Sequence, residues 1–193
     1  MIKTLVVATG NPGKLEEIQA YLCDLDVQLQ LKPPEIEVEE TGTTFLENSA
    51  IKAITVAQKT GKWAIADDSG LSVAALGGAP GLYSARYAAT PALAIARVLK
   101  ELENNPNRQA QFICAMSIAR PDGSIAAQVE GYCPGEILHS LQGEGGFGYD
   151  PIFYVPAEGK TFAQLSPERK QAISHRGVAF QQLLPQLKQL LHQ

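Results

Sequence analysis

The chain has 193 residues, of which 45% are hydrophobic and 19% charged, a composition typical of a folded globular domain and not of a disordered or fibrous protein. Its net charge of −4 argues against a general nucleic-acid-binding surface. Three widely spaced cysteines predict neither a disulfide framework nor a zinc site, and no apolar run has the length of a signal-peptide core or a membrane span. We therefore expect one domain over residues 1–193, in the cytoplasm.

The chain opens with an apolar, β-branched run over residues 2–8, which predicts a buried strand of a parallel sheet. A polar loop follows at residues 9–14, and Asn11 before Pro12 is a good N-cap for the next helix. This order directs backbone amides and the positive end of the helix at the loop, and Lys14 adds a full charge. A phosphate group is the natural ligand, although a plain strand-to-helix connection fits this loop equally well.

Two glycine-rich stretches match nucleotide-binding motifs only in part. In a Walker A loop, the first glycine and the residue after the lysine would fall on Ala8 and Leu15, so an ordinary P-loop NTPase is rejected. Residues 143–148 match Gly-x-Gly-x-x-Gly, but Pro151 follows too closely for the helix that a dinucleotide-binding motif requires. We interpret this stretch as a mobile loop before a final strand over residues 152–155.

Between the first strand and the centre of the chain, charged residues occur in patterned segments. Residues 28–31 predict a short second strand, and the acid–aliphatic alternation of residues 35–40 fits a solvated edge strand or a source of a metal ligand. Residues 44–47 form a capping box that predicts a helix. Asn48 and Lys52 lie one turn apart on that helix and could line one site.

Two adjacent carboxylates, Asp67 and Asp68, stand between the apolar runs 63–66 and 71–76. We expect a buried strand to end at these acids and a turn to begin. Burying an unpaired carboxylate is costly, so the two acids are expected to pair with cations, to accept bonds from turn amides, or to hold a metal ion. A plain Asp-Ser-Gly turn fits the local sequence equally well.

The second half of the chain adds helices and strands that predict an α/β fold with a mixed sheet. The predicted elements are a helix over residues 91–102, strands over 110–119 and 125–132 joined by a Pro-Asp-Gly turn, a helix opened by Ser166-Pro167, and a closing helix with an apolar stripe from Phe180 to Leu191. Residues 77–87 are too rich in glycine and proline for a regular element. His175 and Arg176 form a donor-rich pair, but no histidine has metal-binding spacing.

Six motifs together resemble the Ham1/RdgB inosine triphosphate pyrophosphatase family. In chain order they are TGNPGK at residues 9–14, TFLENS at 44–49, ADDSGL at 66–71, PGLYSAR at 80–86, FGYDP at 147–151 and SHR at 174–176. The resemblance spans nearly the whole chain. It implies an α/β fold with a mixed, elongated sheet flanked by helices, two lobes around a nucleotide-binding cleft, and a homodimer. Ser49, where the family usually has alanine, and a shorter stretch over residues 88–111 depart from the family pattern.

The resemblance also implies an activity: Mg²⁺-dependent hydrolysis of dITP, ITP and XTP to the monophosphate and pyrophosphate, which cleanses the nucleotide pool. Asp68 resembles the family's proton acceptor and magnesium ligand, with Glu40 as a second metal ligand. The implied substrate-binding residues are Thr9, Gly10, Asn11, Pro12, Gly13, Lys14, Ser69, Phe147, Gly148, Tyr149, Asp150, Lys170, His175 and Arg176.

Other functions remain open at this point. The Maf family is similar in fold and chemistry but acts on other nucleotides, and a nucleotide-binding sensor would use the same loop and basic residues without turnover. The adjacent acids favour an enzyme, because a triphosphate binder gains little from carboxylates near phosphates unless a metal lies between them. The motifs do not decide between cleavage at the α-phosphate and cleavage at the γ-phosphate.

Overall fold

The structure is a computed structural model that describes residues 4–191 of the chain. Its strands are β1 (Thr4–Val7), β2 (Gln28–Leu31), β3 (Trp63–Val73), β4 (Gln109–Ala119), β5 (Ile125–Ile137), β6 (Phe153–Val155) and β7 (Lys160–Thr161). Its α-helices are α1 (Pro12–Leu22), α2 (Phe45–Thr60), α3 (Pro91–Leu102), α4 (Pro167–Ile173) and α5 (His175–Leu191). Short 3₁₀ turns, among them Gly81–Arg86, connect these elements.

Within the described range, the strands form one sheet in the order β2-β1-β3-β4-β5-β6-β7. β1 pairs in parallel with both β2 and β3, and Leu5 lies opposite Trp63. β6 pairs antiparallel with both β5 and β7. The sheet is therefore mixed, and with its helices it confirms the predicted α/β class.

The chain divides into two compact units. Among the described residues, the first comprises residues 4–68, 114–131 and 178–191, and the second comprises residues 69–113 and 132–177. Strands β3, β4 and β5 each contribute residues to both units. The predicted single domain remains a prediction.

In the first unit, the alternation of side chains along β1 and β3 distributes the core between two faces of the sheet. On one face, Leu5, Val7 and Ile65 pack with apolar side chains of α1 and α5. On the other face, Val6 and Ala64 pack with alanines and a valine of α2. Odd-numbered positions of β3 therefore share a face with α1, and even-numbered positions share a face with α2.

In the second unit, a cluster of aromatic rings forms part of the core. Phe112 of β4 packs against Phe153 in an edge-on contact, with ring centroids 4.6 Å apart, and lies parallel to Phe162. Buried residues of α3, including Ile95 and Val98, belong to the same core. These rings bring β4, β6 and the segment before α4 together.

Most local predictions are confirmed. The structure places Asn11 as the N-cap of α1, Thr44 as the N-cap of α2, and Gly61, with a positive φ of 64°, at the end of α2. α3 spans the predicted range, and α5 continues through Pro185. Of the predicted first strand, residues 2 and 3 lie outside the described part. No helix within residues 4–191 is long and apolar enough to cross a membrane.

Three predictions about strands need correction. β3 does not end at the two acids, because the strand continues from Trp63 to Val73 and the two carboxylates have lysine partners that remove the need for a turn. Residues 35–40 form no strand, since local bonds such as Ile36 N to Pro33 O shape that segment. β5 runs five residues beyond the predicted end, and β7 was not predicted.

Candidate active site

The loop between β1 and α1 is held by its own polar side chains. The side chain of Asn11 accepts hydrogen bonds from the backbone amides of Gly13, at 3.0 Å, and Lys14, at 3.3 Å. The amide of Asn11 in turn donates to the hydroxyl of Thr9. Because the cap occupies two of the amides expected to face a phosphate, the helix potential and the charge of Lys14 are the main attractions for an anion.

The two adjacent acids of β3 each pair with a different lysine. Asp67 lies 3.1 Å from Nζ of Lys14, near the start of α1, and Asp68 lies 2.8 Å from Nζ of Lys52, in α2. This arrangement follows from the alternation of β3, in which residue 67 shares a face with α1 and residue 68 with α2. Of the three alternatives expected for the buried acids, pairing with cations is the one that the structure shows.

Lys52 bridges two carboxylates. Its Nζ donates to Oδ1 of Asp68 at 2.8 Å and to Oε1 of Glu40 at 2.9 Å. Together with Asp67 and Lys14, this set holds three carboxylates against two ammonium groups, so one negative charge is in excess if all are ionised. An excess of negative charge in a partly buried cluster attracts a further cation.

Burial and charge shift two pKa values in this acid cluster, defined as Glu40, Asp67, Asp68, Lys14 and Lys52. Burial raises the pKa of Asp68, and this effect outweighs the opposing influence of Lys52 and Lys14. Burial alone would lower the pKa of Lys52, but the nearby carboxylates of Asp68 and Asp67 outweigh it and raise that pKa. Lys52 therefore stays charged, and Asp68 is a stronger base than an ordinary aspartate.

The acid cluster fits a divalent cation with oxygen ligands. Glu40 and Asp68 direct one oxygen each at Nζ of Lys52, so the two carboxylates lie close together around an ammonium group that occupies the point where these oxygens converge. Mg²⁺ is usually bound by one or two protein carboxylates together with substrate phosphates and water. The described residues contain no group of three or more acids, histidines or cysteines placed to hold a metal by themselves. A pair of carboxylates completed by a substrate is therefore the arrangement that suits Mg²⁺.

The segment that carries Glu40 is fixed by the start of α2. The buried side chain of Asn48 accepts from the amide of Gly42 at 2.8 Å, and the carboxylate of Glu47 accepts from both the amide and the hydroxyl of Thr43. A Cβ at Gly42 would lie 2.7 Å from the Asn48 oxygen, which explains the glycine. The bonds from Thr43 lower the pKa of Glu47, so this acid is a helix cap and holds the segment in place.

In the second unit, Asp150 organises the loop that contains Phe147. Its Oδ2 accepts from the amide of Phe147 at 2.9 Å and from Nζ of Lys170 at 2.7 Å, and the aspartate is buried. The Lys170 nitrogen lies 4.6 Å from the centre of the Phe147 ring. A Cβ at Gly146, where φ is 73°, would collide with the Asp150 carboxylate. The loop is thus closed on itself by one carboxylate.

The donor-rich pair at the start of α5 is buried in the same unit. The ring of His175 stacks on Phe112 with centroids 4.6 Å apart and an interplanar angle of 13°. Arg176 is only 1% exposed and donates from Nη2 to the hydroxyl of Ser69 at 2.9 Å. Aromatic packing and a hydrogen bond to β3 therefore fix the direction of both side chains.

Tyr149 has a hydrogen-bond partner that the sequence did not reveal. Its hydroxyl donates to the backbone carbonyl of Ser84 at 2.8 Å, and burial raises its pKa. The hydroxyl of Ser84 accepts from the amide of Leu71 at 2.9 Å and donates to the carbonyl of Gly81 at 2.6 Å. Ser84 therefore joins the loop of Tyr149 to β3.

The predicted site residues form two groups, each within one unit. The first unit holds residues 9–14, Glu40 and Asp68, and the second holds Ser69, residues 147–150, Lys170, His175 and Arg176. A groove of about 890 Å³ in the second unit is lined by none of them. Sequence reasoning missed the bridging role of Lys52, whose helical spacing from Asn48 was the available signal. It also missed Ser84 and Phe112, for which no local signal exists.

Comparison with known proteins identifies close relatives. The family model described as "Ham1 family" matches residues 5–186. The chain is 60% identical over 191 residues to a protein of Nostoc sp. named "dITP/XTP pyrophosphatase", covering 99% of this chain and 97% of the relative. It is 61% identical over 183 residues to a Synechocystis sp. protein of the same name, covering 95% and 94% of the two chains.

Solved structures of related proteins have the same fold. The structure of the Staphylococcus aureus Ham1 protein matches with a TM-score of 0.87 and 43% identity, covering 96% of this chain and 98% of the other. A HAM1 protein from Coxiella burnetii matches with a TM-score of 0.89 and 43% identity, covering 97% of this chain and 100% of the other.

Proposed function

Because the chain belongs to the Ham1 family, we propose that it is a nucleoside-triphosphate diphosphatase acting on noncanonical purine nucleotides. Its substrates are dITP, ITP and XTP, and its products are the nucleoside monophosphate and pyrophosphate. The observation that carries this proposal is the 60% identity, over 99% of the chain, to a relative named "dITP/XTP pyrophosphatase". The function is the removal of these nucleotides from the pool.

On the phosphate side, Asp68 accepts the proton of the attacking water. Burial suits it to this task, because a raised pKa makes a carboxylate a better base at neutral pH. Lys14 and the positive end of α1 offset the negative charge of the phosphates, which spreads as the bond breaks. Residues 9–13 supply the loop that receives the phosphate chain.

Asp68 and Glu40 would hold the Mg²⁺ ion, which when bound supplies Lewis-acid polarisation of the phosphate oxygens. Lys52 keeps the two carboxylates converged, since both accept from its Nζ. Asp67 has a different role, because it lies on the other face of β3 and orients Lys14. Asp68 therefore serves proton transfer, and Asp67 serves the placement of Lys14.

On the base side, hypoxanthine and xanthine share a 6-oxo group, where adenine has an amine. Arg176, His175 and Lys170 provide hydrogen-bond donors, which an oxo group accepts and an amine does not. A mismatch that leaves buried donors unpaired supports large discrimination. Phe147 provides an aromatic face for stacking, and Ser69 contacts the substrate beside Arg176. Guanine also has the oxo group, so its rejection depends on its 2-amino group, which hypoxanthine lacks and which an oxo acceptor replaces in xanthine.

A product assay tests the proposed function. The protein is incubated with Mg²⁺ and a panel of ITP, dITP, XTP, ATP, GTP and UTP, and pyrophosphate and orthophosphate are measured separately. We expect pyrophosphate from ITP, dITP and XTP, and none when EDTA replaces Mg²⁺. Orthophosphate alone would indicate cleavage at the γ-phosphate, a preference for other nucleotides would favour a Maf-like activity, and binding without turnover would favour a sensor.

We also propose that the protein is a homodimer, that its two units fold as one domain, and that it works in the cytoplasm. Four chain crossings between the units, at residues 68/69, 113/114, 131/132 and 177/178, support cooperative folding. Sedimentation velocity, calorimetric unfolding and cell fractionation test the three properties in turn. A monomer, two separate unfolding transitions, or a membrane fraction would contradict them.

A further inference from the structure

Ser84 makes hydrogen bonds in two directions, although the 3₁₀ turn that contains it has no role in the chemistry described above. Towards β3, its hydroxyl accepts from the amide of Leu71 at 2.9 Å. Towards the loop of Phe147, its backbone carbonyl accepts from the hydroxyl of Tyr149 at 2.8 Å. A third bond, from the Ser84 hydroxyl to the carbonyl of Gly81, holds the residue in its own 3₁₀ turn.

The hydroxyl of Tyr149 is engaged in this contact, and the residue is only 6% exposed. Its neighbours in the loop are tied to each other, since the amide of Phe147 donates to Asp150 and the amide of Asp150 donates to the carbonyl of Phe147. Asp150 also accepts from Lys170 of α4, and the Tyr149–Ser84 bond connects the loop to a second, separate segment of the unit. Through this bond, Tyr149 fixes the loop relative to Ser84.

The other end of the connection reaches the partner of Arg176. Leu71, which donates to Ser84, lies two residues from Ser69, whose hydroxyl accepts from Arg176 at 2.9 Å. All of these residues belong to the second unit. A continuous path of hydrogen bonds and strand backbone therefore connects the loop of Phe147 to the guanidinium of Arg176. The path passes through Ser84 and β3.

We propose that Ser84 and Tyr149 are positioning residues that fix the loop of Phe147 relative to Arg176 and so set the preference for 6-oxopurines. This inference rests on the proposed function for its substrate class. A base held by stacking presents its 6-position at a place determined by the ring beneath it. If the ring moves, the oxo group loses its alignment with the donors, whereas adenine, which lacks the matching acceptor, loses less.

The variant Tyr149→Phe tests this proposal, because it removes one hydroxyl and keeps the ring in the core. We expect the ratio of kcat/KM for ITP to that for ATP to fall about fivefold, the factor that corresponds to one typical net hydrogen bond. Inhibition by inorganic tripolyphosphate, which has no base, should be unchanged. Tyr154→Phe makes the same chemical change in β6 of the same unit and should leave the ratio unaltered.

Ser84→Ala tests the other end of the connection. It should also lower the ITP to ATP ratio, and the double variant with Tyr149→Phe should lower it by less than the product of the two single effects, because both break one connection. An unchanged ratio in both single variants, or fully independent effects, would overturn the proposal.

Amide hydrogen exchange separates this inference from the proposed function. Ser84→Ala should speed exchange at Leu71, and Tyr149→Phe should speed exchange at Phe147, relative to Tyr154→Phe. Exchange rates that do not change would refute the positioning role whatever the substrate is. If wild-type protein hydrolyses no ITP while these amides respond as expected, the proposed function fails and the connection through Ser84 stands.

Discussion

The acid cluster of the first unit differs from the base-side group of the second unit, which comprises Ser69, residues 147–150, Lys170, His175 and Arg176. Both bury charge, but they neutralise it differently. In the acid cluster, Lys52 is shared by two carboxylates, and the cluster as a whole has more carboxylates than lysines. In the base-side group, a single carboxylate, Asp150, is shared by Lys170 and a backbone amide. The first arrangement suits a ligand that brings cations and phosphates, and the second suits a neutral ring of defined shape.

This difference predicts two classes of variant. Changes in the acid cluster should alter turnover for every nucleotide, because all triphosphates are alike at the reacting end. Changes in the base-side donors Lys170, His175 and Arg176 should alter the ratio between nucleotides, because bases differ only in their edges. An acid-cluster variant that changes the ratio between nucleotides, or a base-side donor variant that leaves it unchanged, would contradict this comparison.

The largest effect is expected for Asp68→Asn. The amide has nearly the same shape but is a poor base and a weaker metal ligand, so turnover should fall by about two orders of magnitude or more while nucleotide binding is largely retained. Single-turnover rates and equilibrium binding measure the two quantities. Asp122→Asn, in an exposed turn, is the matched control. Near-normal turnover would transfer the role of base to Asp67.

Arg176→Ala should have the largest effect on selectivity. Loss of the buried guanidinium should lower kcat/KM for ITP far more than for ATP, narrowing their ratio by about tenfold or more. Phe147→Ala is the companion variant, since loss of a stacking face should weaken all purine nucleotides more evenly. Because Arg176 is buried, the milder Arg176→Lys variant is measured alongside it. An unchanged ratio in both Arg176 variants would place base recognition elsewhere.

Lys14→Ala should lower kcat/KM about tenfold and by a similar factor for each nucleotide, because a charge at the start of α1 acts on phosphate oxygens whatever base is attached. The panel of ITP, XTP and ATP gives the required comparison. Lys62→Ala, which removes a lysine near the end of α2, is the control. A defect confined to one base would show that Lys14 does not act on the phosphates.

The pH dependence of turnover sharpens the role assigned to Asp68. The base must be deprotonated, so activity should fall as the pH falls through the pKa of Asp68. Because burial raises that pKa above the ordinary value of 3.8, the loss should begin at a higher pH than for an exposed aspartate. The test is a profile of kcat/KM against pH, which reports the pKa values of the free enzyme, because a bound Mg²⁺ ion would itself lower the pKa of its ligands. An acidic limb centred at or below 3.8 would contradict the assignment.

The smallest effect is expected from a change in the first unit that leaves the acid cluster intact. The hydroxyl of Ser49 is buried, lies 2.7 Å from the hydroxyl of Ser117 and donates to the carbonyl of Leu46. Ser49→Ala should lower the free energy of unfolding by about 1 to 2 kcal/mol, because Ser117 keeps the bond that it accepts from Gln128 but loses the acceptor for its own hydroxyl, and should leave turnover unchanged. Urea unfolding measures the first quantity. A fall in the turnover of the folded variant would contradict this prediction and give Ser49 a catalytic role.

The sequence predicted what short-range chemistry determines. The caps at Asn11 and Thr44 and the terminal Gly61 depend on residues within a few positions, so α1 and α2 were located closely. The cost of burying carboxylates was also enough to predict that Asp67 and Asp68 would have partners.

Partners distant in the chain could not be predicted from local patterns. Ser84 and Tyr149 are 65 residues apart, and Ser69 and Arg176 are 107 residues apart. The same limitation explains the error at β3, where an Asp-Asp-Ser-Gly sequence has turn composition. Strand geometry prevails there because tertiary partners satisfy the acids, and local propensity does not contain that information.

Consecutive placement of Asp67 and Asp68 within one continuous strand makes the site sensitive to chain length as well as to side-chain chemistry. Removing one residue between the start of β3 and Asp67 would exchange the faces of the two carboxylates. Residue 68 would face Lys14, and residue 67 would take the place of Ala66, two positions before the place that pairs with Lys52. A deletion before Ile65 would also move Ile65 to the face of α2 and Ala66 to the face of α1. Evolution and engineering can therefore vary residues around this strand by substitution, whereas insertions and deletions have to be confined to the loops at its ends.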